Sequence, residues 1–150
     1  MSESMIIGII GAGAAYTVIG IVWWILQIVA NWKIFTKAGE AGWKSIIPFY
    51  SGHISYKIAW KPMYFWIGMI ASSVASGMNE YYQQTGGTGL ILFIALVLMI
   101  VSAVLNIMYC NKLSKAFGKS LGFTIGLIIL NPIFILILGL GKAEYVGNQS

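Results

Sequence analysis

The chain has 150 residues, 59% hydrophobic and only 9% charged, against about 25% charged in an ordinary soluble domain. Polar groups are too few to cover a water-facing globule, so a bilayer is the expected solvent. Its net charge of +5 is carried entirely by lysine and glutamate, with no Arg or Asp. The lack of a guanidinium fork argues against nucleic acid as partner and points to anionic lipid headgroups as the counter-charge.

The N-terminal Met1-Ser2-Glu3-Ser4-Met5 has no basic n-region, and the apolar run behind it is longer than a signal h-region. It is therefore expected to remain as an anchor. That run, residues 5–30, is the first of four apolar segments compared with the ~30 Å of hydrocarbon. Unbroken rather than alternating apolar sequence predicts helices, because backbone amides in lipid must be satisfied within the segment. Gly8 and Ala12, like Gly11 and Ala15, sit one turn apart and predict a face for close helix packing or for a partner. Gln27 is one of the few polar side chains in the run.

Residues 31–61 hold five of the lysines and the single histidine. Within them, the stretch 43–60 is too apolar for a free loop and, with Pro48 inside it, too short to cross. It predicts an amphipathic segment lying in the headgroup boundary, with a re-entrant hairpin as the alternative. Trp43, Lys44, Tyr50, His53, Lys57, Trp60 and Lys61 are the expected lipid-headgroup contacts.

The second run, residues 63–78, follows Pro62 and carries Gly68, Ser72 and Ser76 as a ladder of small residues. A glycine-rich turn, "QQTGGTG", leads into the third run, residues 88–109. There Ser102 and Asn106, four apart, share a helix face. The fourth run, residues 121–140, contains a Gly122/Gly126 pair at GxxxG spacing and Asn131 beside Pro132, a dipeptide that predicts a kink. Lys112, Lys115 and Lys119 precede it. With eight lysines falling in two loops, the positive-inside rule makes those loops cytoplasmic and leaves both termini outside.

The expected architecture is thus all-α: one domain over 1–150, an integral membrane four-helix bundle with an interfacial segment between helices 1 and 2. No ionisable group falls at the centre of a run, which argues against ion-coupled transport. The single cysteine, Cys110, excludes an intrachain disulfide and any multi-cysteine metal site, and no cofactor is expected. His53 and Glu40 form the one conceivable acid–base pair, while Lys119 and Ser120 are adjacent and so diverge on a helix.

Two stretches, "KAGEAGWKSIIPFYSGHISYKIAWKP" and "LSKAFGKSLGFTIGLIILNPIFILILGLGKAEYVG", carry an "AGxxGWxxIIPxY" block (Ala38, Gly39, Gly42, Trp43, Ile46, Ile47, Pro48, Tyr50) and "FGK" and "LGLGKAEY" blocks. They resemble a bacterial family of small four-span membrane proteins of unknown function, members of which are sometimes labelled signal-peptidase-like. Similar proteins often carry Asn where this chain has Ser51 and Asp where it has Lys142. The resemblance implies four spans in a bacterial plasma membrane and brings no established activity. The function expected from the residues is that of a non-enzymatic partner or accessory subunit binding membrane protein through helix contacts. A homo-oligomeric channel lined by Ser72, Ser76, Ser102 and Asn106 is the alternative, and an interfacial enzyme using His53 and Glu40 a further one.

Overall fold

A computed structural model describes residues 2–150, and among them it contains six α-helices and no strand. The helices are α1 (Glu3–Lys37), α2 (Tyr50–Ala59), α3 (Pro62–Thr85), α4 (Gly89–Ala116), α5 (Leu121–Ile129) and α6 (Asn131–Leu140), with a short 3-10 turn at Gly42–Ser45. Two of them, α1 and α4, are long and apolar enough to cross a membrane.

The helix ends follow from local chemistry. At the end of α1, Gly39 takes φ +78° and Glu40 N–H returns to Phe35 O at 2.8 Å. Gly118 (φ +64°) and the bond from Lys119 N–H to Ser114 O at 2.9 Å close α4 in the same way. Both are glycine-dependent Schellman stops. Pro62 opens α3 at its first turn, where a missing N–H costs nothing.

α3 and α4 form an antiparallel pair, tied across by Ser102 Oγ donating to Gly68 O at 3.1 Å. The fourth apolar run does not make the single helix expected from its length. Leu130 leaves helical geometry (φ −124°, ψ 49°) just before Asn131-Pro132, and Pro132 sits in the first turn of the new helix, where proline is favoured. The chain then folds back on itself. The rings of Phe123 and Phe134 meet edge-on with centroids 5.0 Å apart, whereas eleven residues of unbroken helix would separate them by about 16 Å. Gly126 permits this, since a Cβ there would overlap the Phe134 ring. The fold-back pair wedges between its neighbours, α6 against α1 and α5 against α4.

A four-helix bundle is likewise not what forms, because α1 makes no contact with α3 or α4. The buried core lies at one end, where Ile34 and Phe35 of α1, Ile54 and Ile58 of α2, Leu113 of α4, Leu127 of α5 and Leu138 of α6 converge. α1 approaches α6 so closely that a side chain at Gly139 would strike the Ala30 backbone. From Glu3 to Leu26, by contrast, every residue of α1 is exposed.

The C-terminal ten residues correct the expected placement of that terminus. They lie across the end that carries the lysine-rich segments, not the opposite end. Val146 N–H reaches Ala116 O at 2.7 Å and Gln149 N–H reaches Ala59 O at 3.1 Å. Tyr145 Oη donates to Ile58 O at 2.7 Å, and Asn148 Nδ2 to Lys57 O and Trp60 O at 2.5 and 2.6 Å. Lys112 Nζ holds the Gln149 carbonyl. Extended backbone in the tail is thus satisfied by helix-end carbonyls and a lysine, which explains why it lies flat rather than projecting.

Candidate functional site

Folding the tail back gathers all nine lysines at one end. Glu40 and Glu144 are the acids among them, while Glu3 and Glu80 sit at the far ends of α1 and α3. Glu40 organises this surface. Its Oε2 accepts from Lys44 Nζ at 2.5 Å and its Oε1 from Lys57 Nζ at 2.6 Å. The two charge-assisted bonds, Lys44 first, hold the Glu40 carboxyl below its usual range, and the same contact raises Lys44. A third cation, Lys37, is bound rather than free, donating to Leu138 O and Gly141 O, each at 2.8 Å. It thereby occupies carbonyls at the end of α6, the favourable place for a cation.

The segment 43–60 is built in two pieces, the 3-10 turn and α2. Its first part runs back along α1: Gly42 packs under the Trp32 ring, and Ser45 Oγ donates to Ile28 O at 3.3 Å. The chain reverses at Pro48-Phe49 and returns as α2 against α3 and α4. At the reversal Phe49 adopts φ 62°, ψ −47°, and Tyr50 N–H bonds Pro48 O at 2.6 Å. That is a γ-turn of the rare positive-φ kind, which costs roughly 1–3 kcal/mol for a residue with a side chain. The strained Phe49 ring is 65% exposed, with Trp43, Ile46 and Ile47 exposed beside it.

The expected headgroup residues therefore divide. Trp43, Tyr50 and His53 form an aromatic row, with centroid spacings of 6.4 Å from Trp43 to Tyr50 and 6.1 Å from Tyr50 to His53. Lys61 is exposed at the start of α3. Lys44 and Lys57 are engaged by Glu40. Trp60 is 8% exposed, stacked on Tyr64 at 3.9 Å, and so belongs to the core rather than to the headgroup surface. His53 Nδ1 accepts from Trp66 Nε1 at 3.0 Å, which puts the proton of the neutral ring on Nε2. With His53 bonded to an indole and both Glu40 oxygens bonded to lysines, the one conceivable acid–base pair is committed to other partners.

The small and polar residues of the apolar runs also divide. Gly126 is filled by Phe134, Gly122 has only Ser120 Oγ nearby at 3.7 Å, and Gly8 meets nothing, with Ala12 exposed beside it. Gln27 Nε2 donates to Pro132 O at 3.1 Å, so a side chain of α1 is tied to the first turn of α6, beside Asn131. Gly68, Ser72, Ser76, Ser102 and Asn106 come together on the α3–α4 pair. Two adjoining cavities sharing Ser72, Ser102 and Asn106 run along it: one of about 250 Å³ also lined by Tyr56 and Phe65, and one of about 520 Å³ bordered by Ile128 of α5. Burial against Tyr109 of α4 pushes the Tyr56 phenol up to about 12, so it remains a neutral donor. The lining has hydroxyls, an amide and no charge, chemistry suited to hydrogen bonding and not to ion binding or acid–base work. No group of His, Cys, Asp or Glu among the described residues is arranged to hold a metal.

Sequence reasoning missed three features: the fold-back at Leu130, the strained turn at Phe49, and the tail contacts of Tyr145, Asn148 and Gln149. Only the first left a signal, a proline halfway along an apolar run with a glycine six residues before it. No curated protein and no solved structure matches the chain. A family model does match, over residues 43–148, and it spans the Pro48 turn, α2 to α6 and most of the tail. On that match, covering more than half of its length, the chain belongs to the Family of unknown function (DUF5684).

Proposed function

We propose that this chain is a non-catalytic component of a bacterial plasma membrane, a partner subunit that binds another membrane segment through helix contacts while its cationic end rests on the anionic inner leaflet. The observation that carries this reading is the exposed stretch Glu3–Leu26 of α1, which finds no partner within the chain, opposite an end bearing every lysine. α1, α3 and α4 are read as crossings. α5 and α6, of nine and ten residues, span about 15 Å each, half the hydrocarbon, and so enter and return on one side. Three crossings put the N-terminus outside and the C-terminus inside, in place of four crossings with both ends outside. The lysine distribution supports this orientation, since cytoplasmic surfaces carry the lysine excess and lysines near an anionic leaflet contribute about 1 kcal/mol each. Exposed Phe49, Ile46 and Ile47 fit insertion into the headgroup boundary beside them.

Purification from native membranes in mild detergent tests the reading. A stoichiometric protein, another or a second copy, is expected, together with a requirement for anionic lipid. A partner-free monomer indifferent to lipid charge ends it. Membrane-impermeant thiol labelling at Lys57→Cys, Tyr81→Cys and Ser150→Cys tests the topology, with positions 57 and 150 expected to label together and 81 from the other side. The uncharged, hydroxyl-lined groove favours a second reading, a pore for a small neutral solute assembled from several copies. Absence of solute flux in reconstituted liposomes removes it.

A further inference from the structure

The end of α1 and the start of the tail border a cavity of about 370 Å³, lined by Lys37, Gly141, Lys142, Glu144 and Tyr145. Lys37 is fixed in its wall. An ammonium has three N–H donors, and Leu138 O and Gly141 O take two of them at 2.8 Å each. One remains. Lys33, one turn earlier on α1, and Lys119, just before α5, lie close enough to repel the Lys37 charge. Lys119 Nζ also rests 5.9 Å from the centroid of the Phe123 ring, which holds it beside the α5–α6 fold-back.

Four cations thus share one corner of the molecule with little to balance them. Among the described residues the ion pairs are those of Glu40 with Lys44 and Lys57, so none of Lys33, Lys37, Lys119 and Lys142 is paired with a carboxylate. Glu40 has both oxygens occupied by those two lysines. Glu144 lines the cavity but is exposed and pairs with no lysine. The Tyr145 hydroxyl is committed to Ile58 O. A concave site lined by one sign of charge concentrates counter-ions, and an oxyanion with several oxygens answers several ammonium groups at once. Lysine serves phosphate in this way, as a point charge without the geometry of a guanidinium fork.

We propose that this cavity binds a phosphate group, held by Lys37, Lys119 and Lys142, with Lys33 adding charge at its edge. The phosphate belongs to an anionic lipid headgroup or to a soluble phosphate ester. The inference rests on the reading of the lysine end as the inner-leaflet surface and places one discrete site on it.

Titration of the full chain in neutral detergent tests it, with retained ligand counted by native mass spectrometry. The probes are phosphatidylglycerol, phosphatidylcholine, glycerol phosphate and inorganic phosphate. Lys119→Gln with Lys142→Gln removes two exposed cations from the site and spares Lys37, whose bonds also tie α1 to the end of α6. Lys61→Gln with Lys115→Gln, exposed lysines outside the cavity lining, makes the same change in net charge and is the control. One phosphatidylglycerol per chain is expected to be retained in preference to phosphatidylcholine. The site variant is expected to weaken it about ten- to thirtyfold, the control less than about twofold. Lipid that glycerol phosphate fails to displace supports the site and assigns its phosphate to a headgroup. Saturable binding of glycerol phosphate or inorganic phosphate, lost in the site variant, supports the site and assigns it to a soluble ester. Equal weakening in the two double variants means diffuse attraction and overturns the site while preserving the inner-leaflet reading. Phosphatidylcholine retained as well as phosphatidylglycerol, with no soluble phosphate bound, overturns both and leaves the helix-contact partner to its own test.

Discussion

The two ends of this molecule are built from similar apolar sequence and have opposite structural fates. At the lysine end five helices and the C-terminal tail converge on a buried core, and side chains from other elements bond helix carbonyls: Lys37 at the end of α6, Gln27 at Pro132 and Tyr145 at Ile58. At the other end α1 stands alone and α3 and α4 touch only one another. Apolar residues in lipid gain little by meeting each other, so association follows shape and hydrogen bonding. The lysine end supplies both within one chain.

Substitutions at matched positions break or sharpen that contrast. Phe35, fully buried, is expected to cost about 3–5 kcal/mol on truncation in Phe35→Ala, whereas Ile10→Ala in α1 is expected to stay within about 0.5 kcal/mol. Denaturation in mixed micelles reads both, and equal effects would abolish the distinction. Gly139→Leu must push α6 away from the Ala30 backbone and is expected to cost about 1–3 kcal/mol. Gly8→Leu, with open space around it, is expected to leave monomer stability unchanged in the same assay. Tyr145→Phe removes one hydrogen bond between tail and α2, about 1 kcal/mol, and is expected to raise protease cleavage after residue 141.

At the lysine end the smallest effect belongs to Glu40→Gln, under about 1 kcal/mol, since Lys57 is half exposed and water screens the pair. Its pH dependence is the sharper readout. Because the Glu40 carboxyl is held below its ordinary range, its contribution is complete above that range and is lost as acid protonates it. Wild type and Glu40→Gln should therefore differ at neutral pH and converge in strong acid. A gap that persists in acid would mean that the clamp does not act through charge.

What was legible in the sequence was set by composition and period. Four apolar runs and their lysine flanks follow from hydropathy alone, and helical geometry follows from the demands of backbone amides in lipid, so α1, α3 and α4 appear close to where the runs predict. The small-residue ladder Gly68, Ser72, Ser76 and the Ser102/Asn106 pair were likewise readable, because helical spacing places them on faces before any neighbour is known. Tertiary structure alone decided which face met which. Hydropathy carries no direction, so a run of twenty apolar residues reads the same whether it crosses or folds back. The choice fell to Leu130 leaving helical geometry before Asn131-Pro132, Gly126 admitting the Phe134 ring and Gln27 donating to the Pro132 carbonyl, partners separated by up to about a hundred residues. The tail was illegible for the same reason: Tyr145, Asn148 and Gln149 are unremarkable polar residues until helix-end carbonyls from α2 and α4 arrive beneath them.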